Sequence, residues 1–294
     1  LIIGGGIHGV HIAVRMMGEG KVDADRIRIV DPGKRLLDRW RSCTERTGMT
    51  YLRSPAVHHL DLSPWSLIDF GKQRKNPNAH LFAHPNGRPA LGLFNDHCDK
   101  VIQSFDLSTI HICSSAVSCS VGCDGVAVEL ESGESLSAGR VVLAIGGGGQ
   151  PQWPDWAPRE DPRVGHVFAP DFESWPASPE VVAVFGGGIS GAQIALRLAE
   201  EGHEVHLVSR HALREHQFDS EPGWLGPRFM TGFADEADMD RRRDIIAKAR
   251  HKGSVPPDVR QALEEAIAAH QIHWYQSEVE GLDERGAEFR VNLT

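Results

Sequence analysis

No apolar stretch in the 294 residues approaches the ~20 needed to cross a bilayer, so no membrane partner is expected. There is no large basic block either. Lys and Arg number 31 against 40 Asp and Glu, a net charge of −9, which leaves no electrostatic footprint for nucleic acid. The run Arg241-Arg242-Arg243 reads as the solvated face of a helix. Cysteine is sparse and odd in number: Cys43, Cys98, Cys113, Cys119 and Cys123, with no secretory leader, which predicts reduced thiols in the cytoplasm rather than a disulfide framework. Also missing are the GxSxG elbow, the HExxH helix and the CxxC dithiol, since Cys119 and Cys123 are separated by three residues. His58-His59 and the pair His80 and His84 lack a Cys or acid at ligand spacing, so no metal site is expected. With these excluded, bound cofactors must carry any chemistry.

What the chain does have is one glycine fingerprint written twice, Gly4-Gly5-Gly6-Ile7-His8-Gly9 and Gly186-Gly187-Gly188-Ile189-Ser190-Gly191. Each lies between a short apolar run and a helix-like stretch. Gly4 and Gly186 permit the tight strand-to-helix turn, Gly6 and Gly188 let backbone approach a pyrophosphate, and Gly9 and Gly191 let the helix pack on the sheet. The two halves follow one plan. The first predicts a helix from Val10 to Met17, strands from Arg26 to Val30 and Ile110 to Cys113, a hairpin around Gly122 to Gly125, and a strand Val141 to Ile145 ending in Gly146-Gly147-Gly148. The second predicts a helix from Gln193 to Glu201, strands from Glu204 to Val208 and Ile272 to Tyr275, and a hairpin around Asp283 to Gly286. Even a local pattern recurs, Ile110-His111 before Val117 and Ile272-His273 before Val279. The second copy stops at Thr294 before any counterpart of Val141 to Ile145, and the first residue already reads as strand, so a missing closing segment and a trimmed start are both expected.

The fold class is therefore α/β, with two Rossmann-like (three-layer ββα) dinucleotide-binding domains. The expected division is 1–160 for the first and 161–294 for the second, with a helical insertion around 212–270 that covers the second domain through amphipathic helices at Arg241 to His251 and Asp258 to His270. Trp153 and Trp156 among Pro151, Pro154 and Pro158 read as a rigid linker.

The residues after each second strand separate the two ligands. Asp31 ends the strand Ile27 to Val30 about 20 residues beyond the glycines, where a carboxylate accepts hydrogen bonds from an unphosphorylated ribose. The matching place in the second copy holds Ser209 and Arg210, a hydroxyl and a guanidinium suited to a 2′-phosphate that an acid would repel. NADPH belongs in the second site, and FAD in the first, since two nicotinamides would have little to transfer between them.

These residues resemble the two-dinucleotide flavoproteins and, within them, the flavin-dependent monooxygenases of the lysine/ornithine N-hydroxylase branch. The general motifs are the two fingerprints, Asp31, and Leu143-Ala144-Ile145-Gly146-Gly147 with Pro151, which is similar to that family's ATG linker. Branch features are Trp40, Met49-Thr50-Tyr51-Leu52-Arg53-Ser54-Pro55 and Trp65 to Phe70, which look like the segment covering the flavin, and Phe218-Asp219-Ser220-Glu221 in the nicotinamide domain. The family's Asn-Glu pair is replaced by Glu221-Pro222-Gly223-Trp224, which leaves the substrate open. The resemblance implies FAD held by Gly4, Gly6, Gly9, Asp31, backbone around Val117, and Gly146, with Trp40 and Arg53 near the flavin end. It implies NADPH held by Gly186, Gly188, Gly191, Ser209 and Arg210. The implied reaction is delivery of oxygen from a flavin C4a-hydroperoxide to a small-molecule amine or amino acid, with molecular oxygen as co-substrate and no catalytic triad. Two alternatives stay open: a pyridine nucleotide-disulfide or peroxide reductase using Cys43, and a non-catalytic dinucleotide-binding redox sensor.

Overall fold

Ile2 and Ile3 are β-branched and apolar on both faces, which suits a buried parallel strand. From Ile7 onward the apolar residues recur at helical spacing, and Val10, Ala13 and Val14 are the ones buried. In the computed structural model, which describes residues 1–74, 80–84, 87–147 and 150–294, these become β1 (Ile2–Ile3) and α1 (Ile7–Gly18). They open a unit made of Leu1–Glu45, Met49–Pro151 and Val167–Asp171. It continues through β2 (Ile29–Asp31), α2 (Asp38–Arg46), α3 (Ser66–Lys72), β3 (Phe82–Ala83), β4 (Arg88–Pro89) and α4 (Leu91–Ser104), then β5 (His111–Cys113), β6 (Ala116–Gly122), β7 (Gly125–Leu130), β8 (Ser135–Ala138) and β9 (Val142–Leu143).

The main sheet of this unit is parallel in the order β5-β2-β1-β9. One core joins Val10, Val14, Ile29, Leu60, Leu67 and Phe94. The antiparallel meander β6-β7-β8 contributes Val128 and Leu130 to a second core with Ile3 and Val30. Two sheets and a helical layer result, the ββα arrangement expected.

The other unit comprises Arg46–Gly48, Gln152–His166 and Phe172–Thr294. It contains β10 (Val181–Phe185), α5 (Ile189–Glu200), β11 (Glu204–Ser209), β12 (Arg214–Glu215), α6 (Pro227–Asp235), α7 (Met239–Ala249), β13 (Ser254–Val255), α8 (Pro257–Ala268), β14 (Ile272–Gln276), β15 (Val279–Arg285) and β16 (Glu288–Leu293). Its parallel sheet runs β10-β11-β14. This repeats β1-β2-β5, and among the described residues no strand takes the place of β9. The antiparallel hairpin β15-β16 turns at Gly286, whose φ of +64° favours glycine.

Three local expectations change, and a fourth falls outside the described residues. The strand foreseen from Arg26 begins only at Ile29, because Ala24–Arg26 closes a 3₁₀ turn whose carbonyls at Ala24 and Asp25 accept from Arg28 Nη1. The Ile-His pairs are not structural equivalents. Asp31 pairs with Cys113 and Ser209 with Gln276, so His111 corresponds to Trp274, one residue beyond the sequence match. Of the two insertion helices, only α8 covers the unit, burying Leu263 and Ala266, whereas α7 buries no residue because Asp240 and three arginines occupy most of its first turns. Finally, Gly148, expected at the close of the Val141 strand, lies outside the described residues.

Candidate functional site

The first glycine turn is built by contacts that no side chain could share. A Cβ on Gly9 would lie 1.8 Å from the Gly4 carbonyl oxygen, and one on Gly4, whose φ is +110°, would lie 2.4 Å from the Ala144 oxygen. A Cβ on Gly6 would meet nothing within 4 Å. Gly6 is also the N-cap of α1, with no side chain capping it, so the first amides of a 12-residue helix face open space where the macrodipole favours an anion. Asp31, at the end of β2, accepts from Gly5 N–H through Oδ2 at 2.7 Å and from Gly33 N–H through Oδ1 at 2.9 Å. It therefore ties the turn to the loop after β2, and lone pairs remain on both oxygens.

The second turn repeats the steric logic in the other unit. A Cβ on Gly191 would lie 1.9 Å from the Gly186 oxygen, and Gly186 has φ +126°. Gly188 caps α5 without a side-chain bond. Ser209 occupies the place of Asp31 but is buried, donating from Oγ to the His211 carbonyl at 2.9 Å and accepting from Trp274 Nε1 at 2.9 Å. Arg210, next along the chain, is exposed. Each turn thus offers uncapped helix amides and a glycine-lined approach, which fits a dinucleotide pyrophosphate, with an anionic strand end in the first and a cationic one in the second.

The remaining candidates are distributed as follows. Trp40 on α2 packs against Phe94, ring centroids 5.5 Å apart, and donates from Nε1 to Asn95 Oδ1 at 3.0 Å. Arg53 is half-buried, Val117 on β6 is 61% exposed, and Gly146 follows β9 with φ +64°. Cys43 is half-buried on α2. Cys98 on α4 is fully buried, and burial pushes its thiol up to about 12, which leaves it inert near neutral pH.

Two features escape the fingerprint. Gly5 and Gly187, which a GxGxxG pattern treats as variable, are sterically required. A Cβ on Gly5 would stand 2.9 Å from Asp31 Cβ, and one on Gly187 would stand 2.6 Å from Ser209 Cβ. The unbroken triplet Gly-Gly-Gly in both copies is the signal. The other is a buried polar cluster in the first unit. Ser66 donates from Oγ to Asp61 Oδ2, so its contact of 2.8 Å with His97 Nε2 makes that nitrogen the donor and leaves Nδ1 a lone pair. Burial lowers His97 to about 4 and also lowers His59, whose ring centroid lies 5.0 Å away. Burial alone would raise Asp61, but hydrogen bonds from Ser66 and from the Leu62 amide outweigh it and hold the carboxyl below its usual range. Among the described residues no group of three or more His, Cys, Asp or Glu is placed to hold a metal ion.

This cluster makes the fold acid-sensitive. Below pH 6.5 the unfolded chain protonates His97 while the folded chain keeps it neutral down to about 4. Stability present above 6.5 is lost as the pH falls through that window, by on the order of 3 kcal/mol. Urea unfolding at pH 7 and at pH 4.5 measures it, and a His97→Gln variant is expected to show a much smaller difference between the two.

No match is found among curated protein sequences. Among solved structures, the chain resembles the ornithine hydroxylase PvdA from Pseudomonas aeruginosa at 17% identity and a TM-score of 0.71, covering 99% of this chain and 76% of that one. It resembles the bacillithiol disulfide reductase Bdr (YpdA) from Staphylococcus aureus at 14% identity and a TM-score of 0.60, covering 99% and 72%. A flavin monooxygenase from Stenotrophomonas maltophilia matches at 21% identity and a TM-score of 0.50, covering 87% and 69%. At these identities the likeness establishes the fold. In sequence, the pattern of one family matches residues 1–243, glycine turns included, and the chain thereby belongs to the pyridine nucleotide-disulphide oxidoreductase family.

Proposed function

We propose that this protein is an NADPH-dependent flavin monooxygenase, with FAD at the first glycine turn and NADPH at the second, acting on the nitrogen of a small amine or amino acid. The observation that carries the reading is the difference between two otherwise matching turns: Asp31 at the first strand end and the exposed Arg210 at the second. Family membership supports a flavin-dependent oxidoreductase. An ornithine hydroxylase and a flavin monooxygenase are among the similar folds, and Trp40, the Met49 to Pro55 segment and Phe218 to Glu221 resemble the N-hydroxylase branch.

The overall change balances as amine plus oxygen plus NADPH plus a proton giving hydroxylamine, water and NADP⁺. Bound FAD supplies the two-electron redox chemistry that the side chains lack. The chain's own task is positional. The α1 and α5 amides hold the pyrophosphates, Asp31 orients the adenosine ribose of FAD, and Arg210 meets the 2′-phosphate of NADPH. Ser209 stays in this site as the hydroxyl beneath Gly187, positioning the turn through His211 and Trp274.

Arg210→Ala is expected to reduce the preference for NADPH over NADH roughly 10- to 100-fold, the equivalent of about 1.5–3 kcal/mol for one charge-assisted contact. Steady-state flavin reduction with both nucleotides measures the ratio, and an unchanged ratio assigns the 2′-phosphate to another residue. A second reading, a disulfide or peroxide reductase, is favoured by the bacillithiol disulfide reductase among the similar folds and requires Cys43 to turn over with the flavin.

A further inference from the structure

The two glycine turns differ in what stands over them. Above Gly6 there is open space, but a Cβ on Gly188 would come 3.5 Å from Gly253 Cα. Gly188 is the glycine whose bare backbone a pyrophosphate must approach. The segment Arg250 to Ser254 therefore faces the diphosphate position of the second turn, although it lies more than 60 residues away in sequence.

That segment is firmly held. His251 donates its amide to the Asp219 carbonyl at 2.7 Å, and Arg250 pairs with the Asp219 carboxylate at 2.6 Å. Ser254 and Val255 form β13, which pairs with Arg214 and Glu215 of β12, and the His216 amide donates to the Val255 carbonyl at 3.0 Å. The imidazoles of His216 and His251 stack in parallel with centroids 3.7 Å apart. Gly253 has φ +68°, so the chain reverses there without a side chain, directly after Lys252. Lys252 is exposed and forms no ion pair among the described residues, as is true of Arg210 and Arg214. The nearby acids Asp219 and Glu221 are engaged with Arg250 and His251, the latter at 3.5 Å, while Glu215 on β12 is exposed. Each of these three cations is the chain neighbour of a residue that approaches the second turn, Lys252 of Gly253, Arg210 of Ser209 and Arg214 of Leu213, in a chain whose net charge is −9.

We infer that residues 251–254 form a clamp on the diphosphate of the nucleotide at the second turn. Lys252 supplies its charge and Gly253 is the close-approach surface opposite Gly188, while Arg210, with Arg214 beside Ser254, reads the 2′-phosphate. The inference rests on the reading of this turn as the NADPH site. It separates two kinds of cation by what they recognise, since the diphosphate is common to NADP⁺ and NAD⁺ and the 2′-phosphate is not.

Calorimetric titration of NADP⁺ and NAD⁺ into the FAD-loaded protein at two ionic strengths tests it. Lys252→Ala is expected to weaken both nucleotides alike by roughly 5- to 30-fold and to flatten the salt dependence, with Lys252→Arg restoring most of the loss. Gly253→Val should weaken both as well, with thermal unfolding recorded alongside to show that the variant is folded. If Lys252→Ala leaves both dissociation constants within twofold, the clamp is wrong. If it weakens NADP⁺ alone, Lys252 reads the 2′-phosphate and the diphosphate assignment falls. Wild-type protein that binds neither nucleotide overturns the site itself, and the clamp with it.

Discussion

Gly9→Val and Gly191→Val are each expected to leave the unit that carries them unfolded or unable to hold its nucleotide. The Cβ alone would sit 1.8 Å from a backbone oxygen in the first case and 1.9 Å in the second. A backbone atom at a strand-to-helix turn cannot move aside as the end of a flexible side chain would. Separating the two means lifting α1 off β1 or α5 off β10, with loss of the packing of Val10, Ala13 and Val14 in the first unit or of Ala195 and Leu198 in the second. Overpacking of this kind costs at least about 1–3 kcal/mol, and a valine adds its branched methyls to the same gap. Thermal unfolding of each variant, read against Gly6→Ala, checks this. Gly6 meets nothing within 4 Å, so Gly6→Ala is expected to keep the melting temperature and lose FAD, which separates the packing role of one glycine from the ligand role of the other.

Asp31→Ala is the other large change expected. Its carboxylate accepts two backbone amides, Gly5 and Gly33, and under the proposed assignment also the ribose hydroxyls of FAD. Each hydrogen bond to a charged acceptor is worth about 1.5–3 kcal/mol, so loss of the ribose contacts and loosening of the turn together should weaken FAD by a factor on the order of 10² or more. The measurement is fluorescence titration of apoprotein with FAD. Asp31→Glu, which keeps the charge but moves it, is expected to fall between the two. Equal FAD affinity in wild type and Asp31→Ala would show that the ribose is read elsewhere.

Much of this was legible in the sequence because its signals are local. The triplet Gly4-Gly5-Gly6, the run Ile29 to Asp31 and the hairpin glycines encode a turn, a strand end and a reversal within a few residues each, and the second copy confirmed the first by repetition. In the structure that repeat appears as the matching parallel orders β5-β2-β1 and β14-β11-β10. What escaped the reading depends on distant residues. Ser209 reads as a free hydroxyl at a strand end, but Trp274, 65 positions later, takes its lone pair. Ile110 and Ile272 look equivalent by their neighbours, yet one closes a 3₁₀ turn and the other starts a strand, because pairing with β2 and β11 sets the register. Gly253 lies between the two insertion helices with no motif around it, and only the fold sets it opposite Gly188.

The central claim is tested most directly by one assay on the FAD-loaded protein and its Cys43→Ser variant: oxygen uptake driven by NADPH, with mass-spectrometric detection of hydroxylated product from lysine, ornithine and small diamines. The account predicts oxygen consumption in both proteins, a hydroxylamine product with at least one amine, and rates within about twofold of each other. Turnover that needs a disulfide or peroxide acceptor and disappears in Cys43→Ser, with FAD still bound and no hydroxylated amine, would contradict it.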